Sequence, residues 1–234
     1  MPLHALKTVL QQLENVAREA GRPAPRLLAV SKRQPATAVA ELAHAWAAIT
    51  DAHDERAPAF GENYVQEAQA KQAALAGSVI EWHLIGHLQT NKAREAAAIF
   101  DWVQTVDTLR LVDGLARHRP ADRMPLKVLV QVNIDDEASK HGCTPADIGA
   151  LVEAIEAQPR LALRGLMAIP APHPDWSRRR EAFARMKALF DALASTRPQV
   201  DTLSMGMSED FSLAIAEGAT MVRIGTALFG PRSR

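Results

Sequence analysis

The sequence predicts an α/β fold, a single (β/α)8 TIM-type barrel spanning residues 1–234. Three features lead to it. Short apolar runs alternate about eight times with longer amphipathic ones, the rhythm of strands joined by helical crossovers. Several apolar runs are β-branched and lack polar alternation, as parallel strands buried on both faces require. The length of 234 residues also suits a barrel, which runs to about 200–250 residues. Closure fits this strand count better than an open sheet, although periodicity alone also allows a doubly wound fold.

The first amphipathic run, Leu3–Ala20, precedes any strand and reads as an extra N-terminal helix. Strands are expected at Arg26–Ser31, Ala59–Gly61, Trp82–Gly86, Trp102–Val106, Lys127–Asn133, Leu163–Ile169, Thr202–Gly206 and Met221–Ile224. Helices are expected at Ala36–Ala48, Val65–Leu75, Asn91–Phe100, Leu109–Arg117, Pro145–Ala157, Ser177–Leu193 and Glu209–Ala216. Thr144 suits the N-cap before Pro145, and Thr90 or Asn91 suits the cap of the helix that follows the third strand. Thr50–Pro58, Arg119–Pro125 and Pro170–Asp175 read as loops.

Composition removes several function classes. Lys+Arg and Asp+Glu both total 27, so no net charge marks the chain for nucleic acid or for a membrane surface. Aromatic residues are 5% of the chain, too few for single-strand stacking platforms. There is neither a membrane-length apolar run nor a signal-peptide core. The one cysteine, Cys143, rules out an internal disulfide and suits a reducing cytoplasm.

Functional groups of such barrels gather at the C-terminal ends of the strands. That rule selects Lys32, Asn63, His87, Asn133, Met167, Ser204 and Arg223. Lys32 ends the first strand, where desolvation disfavours an ammonium and leaves an amine nucleophilic toward aldehydes. A solvated lysine at a strand exit is the plainer reading. Near the other end, LSMGMSED places Ser204, Gly206 and Ser208 before a helix, and MVRIGTALFG places Arg223, Gly225 and Thr226 after the last strand. Loops after strands seven and eight often bind phosphate, with small residues admitting it, hydroxyls donating and an arginine supplying charge. An ordinary glycine turn and a paired arginine would look alike.

FGENYVQEAQAK puts Asn63 and Tyr64 at the mouth, with Glu62 or Glu67 favouring a helix N-terminus. His83 and His87 flank a strand end, not a helix, so they do not share a face and no metal site is expected. Lys140, in DDEASK, can reach the mouth or remain solvated. Arg178–Arg180 reads as a solvated helix face, and Cys143 as inert.

The runs LLAVSK, FGENYVQEAQAK, WHLIGHLQTNK, VLVQVNI with DEASKHG, LRGLMAI, LSMGMSED and MVRIGTALFG, in this order, resemble the YggS/PROSC-type pyridoxal phosphate homeostasis proteins. The resemblance implies an alanine-racemase-like barrel without the racemase's second, β-rich domain. It implies pyridoxal 5′-phosphate (PLP) on Lys32 as a Schiff base, phosphate held by Ser204, Arg223, Gly225 and Thr226, with Arg223 alternatively the partner of the pyridine nitrogen, and Asn63 beside the cofactor ring. Lys140 matches a family lysine associated with cofactor exchange. Two departures stand out. Arg33-Gln34 follows Lys32 where relatives often carry a further lysine, and TDAHDERAP is longer than the usual connection.

The implied role is intracellular PLP homeostasis without established catalysis, with apo PLP-dependent enzymes as recipients. A residue argument agrees. Racemisation needs acid/base groups on both faces of the cofactor, and the chain has a single tyrosine, Tyr64. The alternatives are a PLP-dependent amino-acid racemase or lyase, and an aldolase whose Lys32 attacks a sugar-phosphate carbonyl. A cytoplasmic monomer is expected.

Overall fold

The computed structural model describes residues 2–49, 57–135, 141–171 and 173–230. Lys140 and most of the TDAHDERAP stretch, residues 50–56, lie outside them. Eight parallel strands close into a barrel in sequence order. They are β1 (Arg26–Val30), β2 (Ala59–Glu62), β3 (Glu81–Leu84), β4 (Trp102–Val106), β5 (Leu126–Gln131), β6 (Leu161–Met167), β7 (Thr202–Met207) and β8 (Met221–Ile224). Closure is explicit in the pairing of Arg26 with Met221 through Ala29 with Ile224. No sheet edge is left to cap.

Helices α2 (Ala36–Ala47), α3 (Val65–Ala74), α4 (Ala93–Ile99), α5 (Leu109–His118), α6 (Ile148–Glu156), α7 (Trp176–Ala194) and α8 (Phe211–Ala216) connect successive strands. The leading helix α1 (Pro2–Glu19) buries Leu6, Val9, Leu13 and Ala17 on one face and packs on α2 and α8, over the seam where β8 meets β1. A short helix α9 (Thr226–Phe229) follows β8. It spans little more than one turn, too few residues to show a periodic pattern, and the sequence reading missed it.

Three local expectations change. Thr90 and Asn91 do not cap α4; they form a 3₁₀ turn, Thr90–Lys92, that runs into it. Thr144 does occupy the N-cap position before Pro145, but its hydroxyl donates to Asp147 Oδ2 at 2.6 Å instead of accepting a first-turn N–H. Helix α8 begins at Phe211, since Asp210 turns its carboxylate back to accept the Met207 N–H at 2.7 Å.

Strand alternation sorts residues between two interiors. Along β1, Leu27 and Ala29 join the large core between strands and helices, whereas Leu28 and Val30 pack within the barrel beside Ile85 and Met221. The same inward face carries Arg26 at its lower end. There the Glu81 carboxylate meets Arg26 at 2.7 Å, Lys127 at 3.1 Å and His83 Nε2 at 2.7 Å. His83 is fully buried and burial pushes its pKa down, so it stays a neutral imidazole.

Burial acts to raise the Glu81 pKa, but the His83 hydrogen bond and the Arg26 and Lys127 charges outweigh it and hold the carboxyl well below its usual range. A carboxyl lowered in this way adds stability that is complete above the ordinary carboxylate range and is lost as pH falls below it. Glu81→Gln should cost on the order of 2 kcal/mol near neutral pH. Denaturant titrations should show that deficit shrinking towards acid pH; a pH-independent deficit would contradict the assignment.

Candidate functional site

The mouth at the C-terminal strand ends holds a cavity of about 350 Å³, within the range of small-molecule sites. Its wall is built from one arc of the barrel, the ends of β1, β6, β7 and β8. Lys32, Arg223, Gly225 and Thr226 all line it, and Ser208 joins them from the loop after β7. The two other expected site residues lie elsewhere. Ser204 is fully buried beneath Arg223, and Asn63 lines a separate cavity with Tyr64 and His87.

Lys32 is half-buried and occupies a tightly held turn. The Ser31 N–H donates to the Gly61 carbonyl at 3.0 Å, and the Gln34 N–H returns to the Ser31 carbonyl at 3.0 Å. The same carbonyl accepts from Lys71 Nζ at 2.7 Å. Arg33 has φ of +62°, the left-handed region, which costs a side-chain-bearing residue about 1–2 kcal/mol. Glu67 accepts the Arg33 N–H and helps to hold that conformation.

Lys71 ties this turn together. Its ammonium bonds Glu62 at 2.7 Å and Glu67 at 2.8 Å while holding the Ser31 carbonyl, and the Ser31 hydroxyl donates to Glu62 at 2.5 Å. Burial raises the Glu62 pKa, opposed by the bonds from Lys71 and Ser31. Its second oxygen, Oε2, is buried without a hydrogen-bond partner. Glu67 lies in the first turn of α3, where a carboxylate favours the helix N-terminus as the sequence suggested, and together with Glu62 it also holds the Lys32 turn. The Glu67–Lys71 spacing of four was the available sign of the pair.

Arg223 enters the cavity from below. Burial pushes its pKa down to about 10, partly offset by Asp210, so it remains charged near neutral pH. One nitrogen donates to Ser204 Oγ at 2.8 Å and another to the Ala168 carbonyl at 2.8 Å. Ser204 donates onward to Gln104 Oε1 at 2.7 Å, and Gln104 Nε2 donates to His83 Nδ1 at 2.9 Å. His83 Nε2 then donates to Glu81 at 2.7 Å. Every donor in this chain points the same way, from the cavity guanidinium down to the carboxylate. Gln104, which the sequence reading passed over, is the joint of the chain: an amide both accepts and donates.

A family model described as alanine racemase, N-terminal domain, matches residues 4–233. The pyridoxal phosphate homeostasis protein of Pseudomonas aeruginosa is 49% identical over 236 residues, covering 97% of both chains. The chain belongs to this family. The Escherichia coli K12 member is 46% identical over 98% of this chain and 96% of its own. Among solved structures, PipY of Synechococcus elongatus superposes with a TM-score of 0.83 without PLP and 0.80 with PLP bound. Both are 36% identical and match 98% of this chain and 100% of theirs. Alanine racemase from Corynebacterium glutamicum, 19% identical with a TM-score of 0.65, shares the barrel; this family member corresponds to 62% of that chain.

Two substitutions test the supports. Lys71→Met leaves the Glu62 carboxylate buried without its counter-ion and should cost about 3–5 kcal/mol in chemical denaturation. Replacing both residues by apolar ones should recover most of that loss; equal losses in the single and double variants would contradict the pairing. Gln104→Leu strands the Ser204 hydroxyl and the His83 ring nitrogen, each at a cost of about 1–3 kcal/mol. An unchanged melting temperature in that variant would refute the donor chain.

Proposed function

We propose that this protein binds PLP as a Schiff base on Lys32 and takes part in intracellular PLP homeostasis without turning over substrate. The observation that carries the reading is that Lys32, Arg223, Ser208, Gly225 and Thr226 face one cavity, in a family with a member solved with PLP bound. The donor set fits the group. Lys32 supplies a primary amine at the cavity wall for the aldehyde, hydroxyls and a glycine backbone suit a dianionic phosphate, and a permanent cation lies below.

In the attachment, the Lys32 amine adds to the aldehyde carbon, the carbonyl oxygen leaves as water, and a carbon–nitrogen double bond forms. The Ser31–Gln34 turn holds that amine at the cavity wall. Ser208, Gly225 and Thr226 bind the phosphate. Ser204 acts through Arg223, orienting its guanidinium without touching the ligand. PLP, when bound, supplies an electron sink that depends on a protonated pyridine nitrogen. Fixed in the barrel wall and still charged, Arg223 would favour an unprotonated ring nitrogen, and so a weak sink, if it faced the pyridine and not the phosphate.

The position of Tyr64 supports a carrier over a racemase. It is 55% exposed and lines the other cavity with His87, away from Lys32. Among the described residues, no tyrosine, histidine or cysteine lines the Lys32 cavity. The acids there, Glu209 and Asp210, belong to the β7–α8 loop, and Asp210 is engaged with the Met207 N–H. The same reading makes the chain a one-domain monomer of the cytoplasm that passes PLP to apo-enzymes. No helix among the described residues is long and apolar enough to cross a membrane.

Borohydride reduction of PLP-loaded protein, followed by peptide mass analysis, should place a phosphopyridoxyl mass on Lys32. The visible PLP band should vanish in Lys32→Ala. A band that persists in that variant, or a sugar-derived mass on Lys32, would overturn the reading. Steady racemisation or cleavage of an amino acid, abolished by Lys32→Ala, would make it an enzyme instead.

A further inference from the structure

The opposite arc of the mouth carries a second constellation. His87 lies beyond β3, Asp107 directly after β4, and His141 in the segment that returns to β5. One ligand atom from each lies within 4.8 Å of the other two. The imidazoles of His87 and His141 stack with centroids 3.6 Å apart and planes 9° from parallel. Both histidines are exposed and Asp107 is half-buried.

The backbone around these residues is constructed to bring them together. His141 is held by its carbonyl, which accepts from Gln131 Nε2 at 3.1 Å. The next residues add to the end of β5, Cys143 N–H donating to Gln131 O and Asn133 N–H to Cys143 O, both at 2.9 Å. Gly142 makes this return possible. Its φ is +119°, and a Cβ there would lie 2.7 Å from the Asn133 nitrogen. Its own N–H donates to Asp107 Oδ2 at 3.3 Å, orienting that carboxylate. On the other side, the Gly86 carbonyl accepts from Thr105 Oγ1 at 2.9 Å. A Cβ on Gly86 would lie 2.2 Å from the Asn63 carbonyl oxygen, so only glycine lets His87 approach so closely.

We infer that His87, Asp107 and His141 bind a divalent transition-metal ion of the zinc, cobalt or nickel type. Two imidazoles and one carboxylate are borderline ligands that suit these ions over calcium or magnesium. Three protein ligands leave a position open to water, as in catalytic zinc sites. Tetrahedral bonds of about 2.0–2.1 Å place ligand atoms roughly 3.4 Å apart, so from separations within 4.8 Å no pair has to close by more than about 1.4 Å. Exposed rings can make that adjustment by side-chain rotation, turning their lone pairs toward a common point. His83 takes no part, because its ring stacks on Trp102 inside the barrel with centroids 5.0 Å apart. This site does not depend on the reading of the Lys32 cavity.

Calorimetric titration of the full-length chain with Zn²⁺, with and without added PLP, should show one saturable equivalent. Co²⁺ in its place should develop visible ligand-field absorption characteristic of low coordination. His87→Ala, His141→Ala and Asp107→Asn should each weaken binding by about tenfold or more, whereas Lys32→Ala should leave it unchanged. Circular dichroism of the same samples shows whether the exposed-site variants remain folded. Absence of saturable binding, or equal binding by wild type and the His87→Ala/His141→Ala double variant, would leave only a stacked histidine pair and overturn the inference. So would loss of binding in Lys32→Ala, which would place the metal on the cofactor.

Discussion

A single polarised chain of hydrogen bonds crosses this barrel from mouth to floor. Arg223 donates to Ser204, Ser204 to Gln104, Gln104 to His83, and His83 to Glu81. It lets a barrel interior hold a guanidinium in a place where an unpaired charge would be prohibitive. Neutral groups in series carry the polarity, and each strengthens the next in a low-dielectric interior. The cation belongs to β8 and its carboxylate to β3, so the chain also spans the sheet. Closure of the barrel and retention of a charged residue in the cavity are thus one requirement.

The second constraint is local and lies at the end of β1. Placing Lys32 at the cavity wall requires a turn whose next residue, Arg33, takes a left-handed backbone. That conformation persists because Glu67 receives its N–H while Lys71 secures the Ser31 carbonyl. The buried Lys71–Glu62 pair adds little net stability, since desolvation offsets most of the attraction. Its value is geometric. It exchanges free energy for a fixed lysine, and such strained, over-determined backbone is common where a reactive group must be presented.

The mouth is divided by strand number. The ends of β1, β6, β7 and β8 enclose the Lys32 cavity, while those beyond β3, β4 and β5 carry two histidines and an aspartate. Asn63, after β2, belongs to neither group strictly, lining a cavity with His87. A parallel barrel makes this division natural, since every strand delivers its C-terminal residue to the same rim.

Much of the fold was legible in sequence because strands buried on both faces read as continuous apolar runs, and amphipathic helices read at their own period. Trp102–Val106 and Met221–Ile224 are strands at the expected bounds. Lys32, Arg223, Gly225 and Thr226 could also be singled out, because strand ends and small-residue loops leave local signatures. The tertiary structure alone decided the rest. Ser204 and Ser208 look equivalent in LSMGMSED, yet strand pairing buries one beneath Arg223 and leaves the other on the cavity wall. Gln104 sits in an unremarkable strand, and His87, Asp107 and His141 are far apart in the chain. Partnership between such residues depends on register and closure, which join positions that no local pattern relates.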